Sequence, residues 1–209
     1  MTTPPRPRGR RPATNHATIE REAFRLFEER GYEDTTVEAI ADAVGIGRRT
    51  LFRYFPSKND IPWGQFDESL ERFGHRLATM PHELPVYEAV HQAVLEFNHV
   101  DAEAIVQHRQ RMSLLLHTPA LRAHSALKHA AWRSVIASYV AERYGLSEDD
   151  LLPQTIGRVS LALALSAYER WVETEDRPLT ELLDEAMVGL RGFLGDGDRP
   201  AHSEPLRPA

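Results

Sequence analysis

The chain has 209 residues, of which 25 are Lys or Arg and 31 are Asp or Glu, and it contains no cysteine. The absence of thiols excludes disulfides, thiolate metal sites and cysteine nucleophiles. The longest apolar run, residues 159–167, is much shorter than the roughly 20 residues of a membrane span, and the N-terminus has no apolar signal segment. We therefore expect a cytoplasmic protein without membrane contact.

Positive charge is concentrated near the N-terminus, although the net charge is −6. Residues 1–58 hold 11 basic and 8 acidic side chains, so the rest of the chain carries −9. Residues 1–13 are too rich in Pro and Arg to pack, which predicts a flexible basic arm. Such an arm can place arginines in the minor groove of DNA, and a solubilising tail is the alternative.

Three short helices are predicted after this arm. The first covers about residues 14–30, and the second begins at Thr35, which forms a capping box with Glu38. Gly45 ends the second helix because a residue without Cβ adopts positive φ at no steric cost. The third helix covers about residues 48–54, with Leu51 on its buried face and basic residues on the others.

The spacing of Ala41, Gly45 and Leu51 is typical of a helix-turn-helix, which needs a small contact residue, a turn glycine and an apolar anchor. The second helix of this motif, which covers about residues 48–54, is basic and therefore indicates DNA binding. A helical hairpin whose arginines only face solvent is the alternative. The candidate DNA-binding residues are Arg48, Arg49, Thr50, Arg53, Tyr54, Lys58, Thr36, Arg10 and Arg11.

A longer helix is predicted from Ser57 to about residue 79, with Ser57 and Asp60 as a second capping box. Its N-terminus favours a phosphate, and Lys58 adds a positive charge there. If Ser57 is the cap, Pro62 costs a hydrogen bond or kinks the helix, whereas a cap nearer Asp60 places it in the first turn. The sequence leaves both possibilities open.

The remaining sequence is helical and shows no strand pattern, so we predict an all-α fold. Further helices are expected at about residues 86–98, 102–117, 119–144, 150–174 and 179–194. We expect Gly145 to end the longest of these helices and Thr118 and Pro119 to begin it, and we predict a disordered tail over residues 196–209.

These features resemble the TetR family of bacterial transcriptional regulators. The residues that carry the resemblance are Phe27, Gly31, Tyr32, Thr35, Thr36, Ile40, Ala41, Gly45, Ile46, Leu51, Tyr54, Phe55, Ser57 and Lys58. The chain departs from the family pattern at Gly47, where Ser or Thr usually caps the recognition helix, and at Phe52, where a phosphate-contacting Tyr is frequent. Residues 57–70, SKNDIPWGQFDESL, resemble regulators associated with mycofactocin gene clusters.

The resemblance implies a helix-turn-helix DNA-binding domain over residues 14–57 and an all-helical ligand-binding and dimerisation domain over 58–195. It implies a homodimeric repressor, released from a palindromic double-stranded DNA operator by a small-molecule effector and controlling mycofactocin-related genes. The candidate dimer interface residues are Leu161, Leu165, Tyr168, Leu183, Ala186 and Leu190. The alternative is that these residues complete the core of the monomer.

An effector pocket is expected among the middle helices. Its candidate residues are Trp63, Phe66, Phe97, His108, Arg109, Met112, Leu116 and Trp132. An apolar centre with a cationic rim suits a long-chain acyl thioester or acid, which belongs to the effector classes of the family. A solvated helix face is the alternative.

Enzymatic activity is not expected. No two of the ten histidines are three or four residues apart, the spacing that brings two imidazoles to one metal on a helix. The sequence holds no nucleophile elbow or dinucleotide-binding motif, so we predict no catalytic residue, metal or cofactor. The alternative function is a helical protein-interaction adaptor without sequence-specific DNA binding.

Overall fold

The computed structural model describes residues 14–174 and 176–196 and confirms the predicted all-α fold, because these residues form helices and no strand. The chain divides into an N-terminal unit that ends at Gln65 and a C-terminal unit that begins at Phe66. The sequence placed this boundary after residue 57. The segment 58–65 belongs to the N-terminal unit because its short helix packs against the first helix. The predicted arm and tail lie outside the described residues.

Residues 14–65 of the N-terminal unit form three α-helices and one 3₁₀ helix. They are α1 (His16–Arg30), α2 (Val37–Val44), α3 (Arg48–Tyr54) and the 3₁₀ helix (Lys58–Trp63). Asn15 caps α1, because its side chain accepts a hydrogen bond from the backbone N–H of Thr18 at 2.9 Å. Gly45 ends α2 in the left-handed conformation, at φ 73° and ψ 34°, as the sequence predicts.

The start of α2 differs from the prediction by one residue. Thr36 is the N-cap, and its hydroxyl oxygen accepts a hydrogen bond from the backbone N–H of Ala39 at 3.1 Å. Thr35 is fully buried, and its hydroxyl donates to the carbonyl oxygens of Leu26 at 3.1 Å and Gly31 at 2.8 Å. The predicted capping box at Thr35 is therefore wrong, because this hydroxyl donates its hydrogen bonds to carbonyl oxygens at the C-terminal end of α1.

The predicted continuous helix over residues 57–79 is also wrong. The 3₁₀ helix ends at Gly64, whose φ of 55° and ψ of −131° lie outside the helical region. Ser57 makes no capping hydrogen bond to the backbone, since its hydroxyl donates to a carboxylate oxygen of Asp60 at 2.7 Å. A glycine in this conformation separates the 3₁₀ helix from the next α-helix.

Residues 66–174 and 176–196 of the C-terminal unit form six α-helices. They are α4 (Phe66–Ala78), α5 (Val86–Phe97), α6 (Ile105–His117), α7 (Pro119–Tyr144), α8 (Leu151–Glu173) and α9 (Leu179–Asp196), with a 3₁₀ turn (Ala102–Ala104) before α6. The sequence predicts both ends of α7 correctly, because proline at its first position and Gly145 at its C-cap mark them. No helix in residues 14–174 and 176–196 is long and apolar enough to cross a membrane.

An apolar core holds the C-terminal unit together. It is formed by buried side chains of α4, α5, α7, α8 and α9, among them Phe73, Trp132, Ile136, Trp171 and Leu183. The longest helices, α7 and α8, pack extensively along each other.

Candidate nucleic-acid interface and effector region

One face of α3 is buried and the other is exposed and basic. Leu51 is fully buried and fixes the helix in the N-terminal unit. Arg48, Arg49 and Arg53 are exposed, and Phe52 is exposed beside them. Residues four apart lie on the same side of a helix, so Arg49 and Arg53 share one surface, and Arg48 and Phe52 lie side by side next to it. Thr50 is half-buried at its border.

Arg48 differs from its two neighbours because it is paired within the unit. Its guanidinium lies 2.7 Å from the carboxylate of Glu38 on α2 and 5.3 Å from the ring centre of Phe52. Both partners of this ion pair are more than half exposed, so water and salt weaken it and a phosphate can replace it. Arg49 and Arg53 form no ion pair with any described residue, which leaves both guanidinium groups available to DNA.

Tyr54 is half-buried and holds the start of α1. Its hydroxyl donates to the carbonyl oxygen of Thr14 at 2.8 Å, and its ring meets that of His16 edge-on with centres 5.0 Å apart. The side chain therefore contributes to packing, which the sequence did not predict. Thr36, the cap of α2, is exposed. Arg10 and Arg11 lie outside the described residues.

Lys58 lies over the loop that joins α1 to α2. Its ammonium donates to the carbonyl oxygens of Tyr32 at 2.9 Å and Thr35 at 3.1 Å, with that of Glu33 at 3.5 Å. It also lies 4.2 Å from the ring centre of Tyr32. This geometry differs from the predicted phosphate contact, because the donors of Lys58 are directed at the protein's own backbone. Sequence reasoning missed this contact, since only the fold shows which carbonyl oxygens Lys58 can reach.

The hydroxyl of Tyr32 strengthens the same connection. It donates to the side-chain oxygen of Asn59 at 2.5 Å. Burial raises the pKa of Tyr32, with smaller contributions from Glu33 and Asp60, so the hydroxyl stays protonated and remains a donor. The contacts of Lys58 and Tyr32 therefore hold the loop between α1 and α2 against the 3₁₀ helix, and this loop positions the N-cap of α2.

Most of the predicted effector residues contribute to one aromatic and apolar region of the C-terminal unit. Phe73 stacks on Trp132 with ring centres 5.4 Å apart, and Phe97 lies 4.9 Å from Phe73 and 6.3 Å from Phe66. Phe66, Phe97, Met112 and Leu116 are half-buried against the core, whereas Trp132 is buried within it. Trp63 belongs to the N-terminal unit.

The polar candidates of this region are hydrogen-bonded within the C-terminal unit. A ring nitrogen of His108 lies 3.1 Å from the hydroxyl of Tyr168, which donates to the side-chain oxygen of Asn98 at 2.9 Å. Arg109 donates to the carbonyl oxygens of Trp171 and Thr174. Burial lowers the pKa of His108 to about 4, with a smaller contribution from Arg111. The predicted cationic rim is therefore reduced, because His108 is neutral near pH 7.

The predicted dimer residues fall into two groups. Tyr168 and Leu183 are buried within the protomer, at 8% and 1% exposure, so they complete its core and present no surface to a partner. Leu161, Leu165, Ala186 and Leu190 are half-buried. The same two helices, α8 and α9, also expose Val159, Val188, Phe193 and Leu194. No cluster of metal-binding side chains occurs among the residues the structure describes.

Known proteins share both parts of this architecture. The family described as bacterial regulatory proteins, tetR family, matches residues 19–61, and the MftR C-terminal domain family matches residues 84–194. A relative from Mycobacterium tuberculosis, named as a mycofactocin biosynthesis transcriptional regulator MftR, is 43% identical over 85% of this chain and 90% of its own length.

Two solved structures have the same fold. The Thermus thermophilus repressor FadR in complex with lauroyl-CoA has a TM-score of 0.55 and 23% identity, over 92% of this chain and 100% of its own. The Bacillus subtilis regulator FadR in complex with stearoyl-CoA has a TM-score of 0.57 and 17% identity, over 88% and 100%. Together with the two family matches and the helix-turn-helix, these findings show that the chain belongs to the TetR family of DNA-binding transcriptional regulators.

Proposed function

We propose that this protein is a homodimeric repressor that binds a palindromic operator through α3 and is released by a small-molecule effector. The observation that carries the DNA-binding role is the exposed basic face of α3, on a helix whose opposite face is anchored by Leu51. The name of the Mycobacterium tuberculosis relative supports mycofactocin-related genes as the regulated genes.

The arginines of α3 have different roles in this proposal. Arg49 and Arg53, which are free of ion pairs in the described structure, contact base edges or phosphates directly. Arg48 exchanges its partner Glu38 for DNA, so part of its binding energy offsets the loss of an exposed ion pair. Thr36 and Thr50 donate hydroxyl groups to phosphates.

Dimerisation places two copies of α3 in successive major grooves, roughly 34 to 36 Å apart. The apolar side chains that α8 and α9 leave exposed support this arrangement, because burying them against a second copy removes them from water. An effector that changes the separation of the two α3 helices then lowers operator affinity, since both half-sites can no longer be bound together.

The proposed effector is a long-chain acyl thioester or acid. The half-buried side chains of Phe66, Phe97, Met112 and Leu116 provide apolar surface for a long chain. The lauroyl-CoA and stearoyl-CoA complexes of two proteins of the same fold support this class of ligand.

A gel-shift experiment tests the proposed function. The purified protein is titrated at fixed salt against the DNA upstream of its own gene and against a scrambled duplex of equal composition. We expect a preferential shift with two protomers per site, which dodecanoyl-CoA reverses. Equal, weak binding to both duplexes would favour the protein-interaction adaptor.

Point variants assign the contacts. Arg53→Ala is expected to weaken operator binding by about 1 to 3 kcal/mol and to relax the sequence preference, if the contact is bidentate to a guanine. Arg177→Ala is the matched control, because this partly exposed arginine of the C-terminal unit pairs with Glu181 and Glu185. An equal loss in both variants would contradict the base-reading role of Arg53.

A further inference from the structure

An ion pair between Glu38 and Arg48 joins the two helices of the helix-turn-helix. The carboxylate of Glu38, in the first turn of α2, lies 2.7 Å from the Nη1 nitrogen of Arg48, the first residue of α3. The guanidinium carbon of Arg48 also lies 5.3 Å from the ring centre of Phe52, one turn further along α3. The guanidinium is therefore held by an oxyanion and by an aromatic ring.

The ion pair places Arg48 on the side of α3 that α2 can reach, next to the surface formed by Arg49 and Arg53. When a helix-turn-helix binds DNA, its second helix lies in the major groove and its first helix crosses the backbone. In this chain α2 is the first helix and α3 is the second. A cation of α3 that contacts α2 is therefore directed towards phosphates, and not towards base edges.

The carboxylate of Glu38 is a chemical substitute for a phosphate on this guanidinium. Carboxylate and phosphate oxygens both accept charge-assisted hydrogen bonds from arginine. The side chains of Glu38 and Arg48 are 55% and 63% exposed, so a phosphate can replace the carboxylate without a change in the fold. Because the replacement exchanges one exposed ion pair for another, Arg48 gains little free energy from it.

Resting on the proposed binding of DNA through α3, we infer that Glu38 competes with DNA phosphates for Arg48. In the free protein its carboxylate occupies the phosphate-binding position of this arginine and thereby lowers the affinity for every duplex. Glu38 sets the strength of DNA binding in this way without contributing to the choice of sequence. The lower affinity also reduces the free energy that an effector must supply to release the operator.

The salt dependence of binding reports this exchange of anions. A cation that neutralises one phosphate releases counterions from DNA and contributes about 1 to the slope of log affinity against log salt. Arg48 makes no net contribution in the wild type, because it gives up one anion to bind another and leaves the Glu38 carboxylate beside the backbone. In Glu38→Gln the guanidinium is unpaired before binding, so its phosphate contact contributes the full amount.

Fluorescence anisotropy of labelled duplexes, measured with the full-length protein at several salt concentrations, tests this inference. The duplexes are the operator and its scrambled counterpart, and the proteins are the wild type, Glu38→Gln, Arg48→Ala and the double variant. Glu29→Gln on α1 is the matched control, because Glu29 lies 2.6 Å from Arg25, which is also paired with Glu22 at 3.0 Å. This control removes the same charge from the N-terminal unit and leaves its arginine paired.

Glu38→Gln is expected to bind both duplexes about 2- to 5-fold more tightly than the wild type at low salt. The slope of log affinity against log salt should become steeper by about 1. Adding Arg48→Ala to Glu38→Gln should reverse both changes on both duplexes. Glu29→Gln should cause neither change, and in the Arg48→Ala background Glu38→Gln should have no larger effect than this control.

Three results would overturn the inference and leave the proposed function intact. They are an unchanged affinity in Glu38→Gln, an equal gain from Glu38→Gln in the Arg48→Ala background, and a loss confined to the operator when Arg48→Ala is added to Glu38→Gln. The second result would mean that Glu38 only repels phosphates, and the third would make Arg48 a reader of bases. Wild-type protein that binds neither duplex would instead contradict the proposed function and the inference together.

Discussion

Lys58 shows how one side chain can have a role that its position in the sequence does not reveal. A lysine at the start of a predicted helix is an attractive phosphate ligand, yet its ammonium lies on the carbonyl oxygens of Tyr32 and Thr35. Arg49 and Arg53 could be predicted as exposed donors because helical periodicity alone places them opposite Leu51. Periodicity carries no information about contacts between distant loops, so the loop contact of Lys58 could not be predicted.

Replacing Lys58 with methionine keeps the apolar stem and removes the charge. We expect Lys58→Met to lower the free energy of unfolding by about 1 to 2 kcal/mol, because hydrogen bonds from a charged donor to partly buried carbonyl groups are lost. The slope of log affinity for the operator against log salt should stay unchanged, since the ammonium of Lys58 donates to backbone carbonyl oxygens instead of a phosphate in this proposal. Urea denaturation and gel shifts at several salt concentrations measure the two quantities.

Arg49→Ala is the matched control for the salt measurement, since removal of one phosphate contact reduces the slope by about 1. A slope reduced by the same amount in Lys58→Met, with unchanged stability, would instead make Lys58 a phosphate ligand.

His108 should make the stability of the C-terminal unit depend on pH. Its pKa is lowered to about 4 in the folded state, so the unfolded chain binds the proton first as the pH falls below 6.5. The contribution is fully present above pH 6.5 and is lost as the pH falls towards 4. Allowing for the partial exposure of the ring, we expect a loss of about 1 kcal/mol by pH 5.

Urea denaturation at pH 7.5 and pH 5 measures this loss, and His108→Phe should reduce the difference between the two pH values. The comparison with the wild type is needed because burial also lowers the pKa of His129, which contributes in the same direction. His75→Phe, at an exposed position, is the control. A pH dependence identical in wild type and His108→Phe would exclude this histidine as its source.

At the scale of helices, the sequence predicts the ends of α7, which a proline and a glycine mark, and misses the break that depends on the backbone conformation of Gly64. The bounds of α7 follow from Pro119, whose ring fixes φ, and from Gly145, which adopts positive φ at no steric cost. The break at Gly64 was missed because a glycine inside an apolar pattern is compatible with either a continuous helix or a turn. The φ of 55° at Gly64 shows that the chain turns there and that the helix does not continue, and this angle is known only from the structure.

The packing of α7 on α8 depends on the absence of a side chain at Gly157. A Cβ at this position would lie 2.7 Å from the carbonyl oxygen of Arg133, which is closer than a methyl carbon and an oxygen can approach without a shift of the backbone. We expect Gly157→Ala to force the two helices apart and to lower the free energy of unfolding by about 1 to 3 kcal/mol. Thermal denaturation followed by circular dichroism measures the effect.

Gly189→Ala on α9 is the matched control, because a Cβ there meets no atom within 4 Å. It should stabilise the protein by about 0.5 to 1 kcal/mol, the usual gain for glycine to alanine inside a helix. If both variants changed stability equally, the close approach at Gly157 would not be a constraint on the fold.

At the scale of the molecule, exposed positive charge lies on α3 of the N-terminal unit, and exposed apolar side chains lie on α8 and α9 of the C-terminal unit. The sequence indicated an excess of positive charge before residue 58, and the exposed arginines of α3 lie in that part. Apolar periodicity in α8 and α9 could not separate core from interface, because a residue facing either environment follows the same spacing. The burial of each side chain in the structure distinguishes the two cases. Tyr168 and Leu183 are buried in the core, whereas Phe193 and Val188 are exposed.

The exposed apolar residues of α8 and α9 provide a test of the dimer. Phe193 is 68% exposed in the single chain, and a charge at this position would have to be buried without a partner in a dimer formed through α9. Phe193→Glu should therefore shift the protein from dimer to monomer in analytical ultracentrifugation while leaving its thermal denaturation nearly unchanged. Leu127→Glu on α7, at 72% exposure, is the control and should remain dimeric. Because two half-sites must be bound together, the monomeric variant should also lose most of its operator affinity, and a Phe193→Glu protein that stays dimeric would place the interface elsewhere.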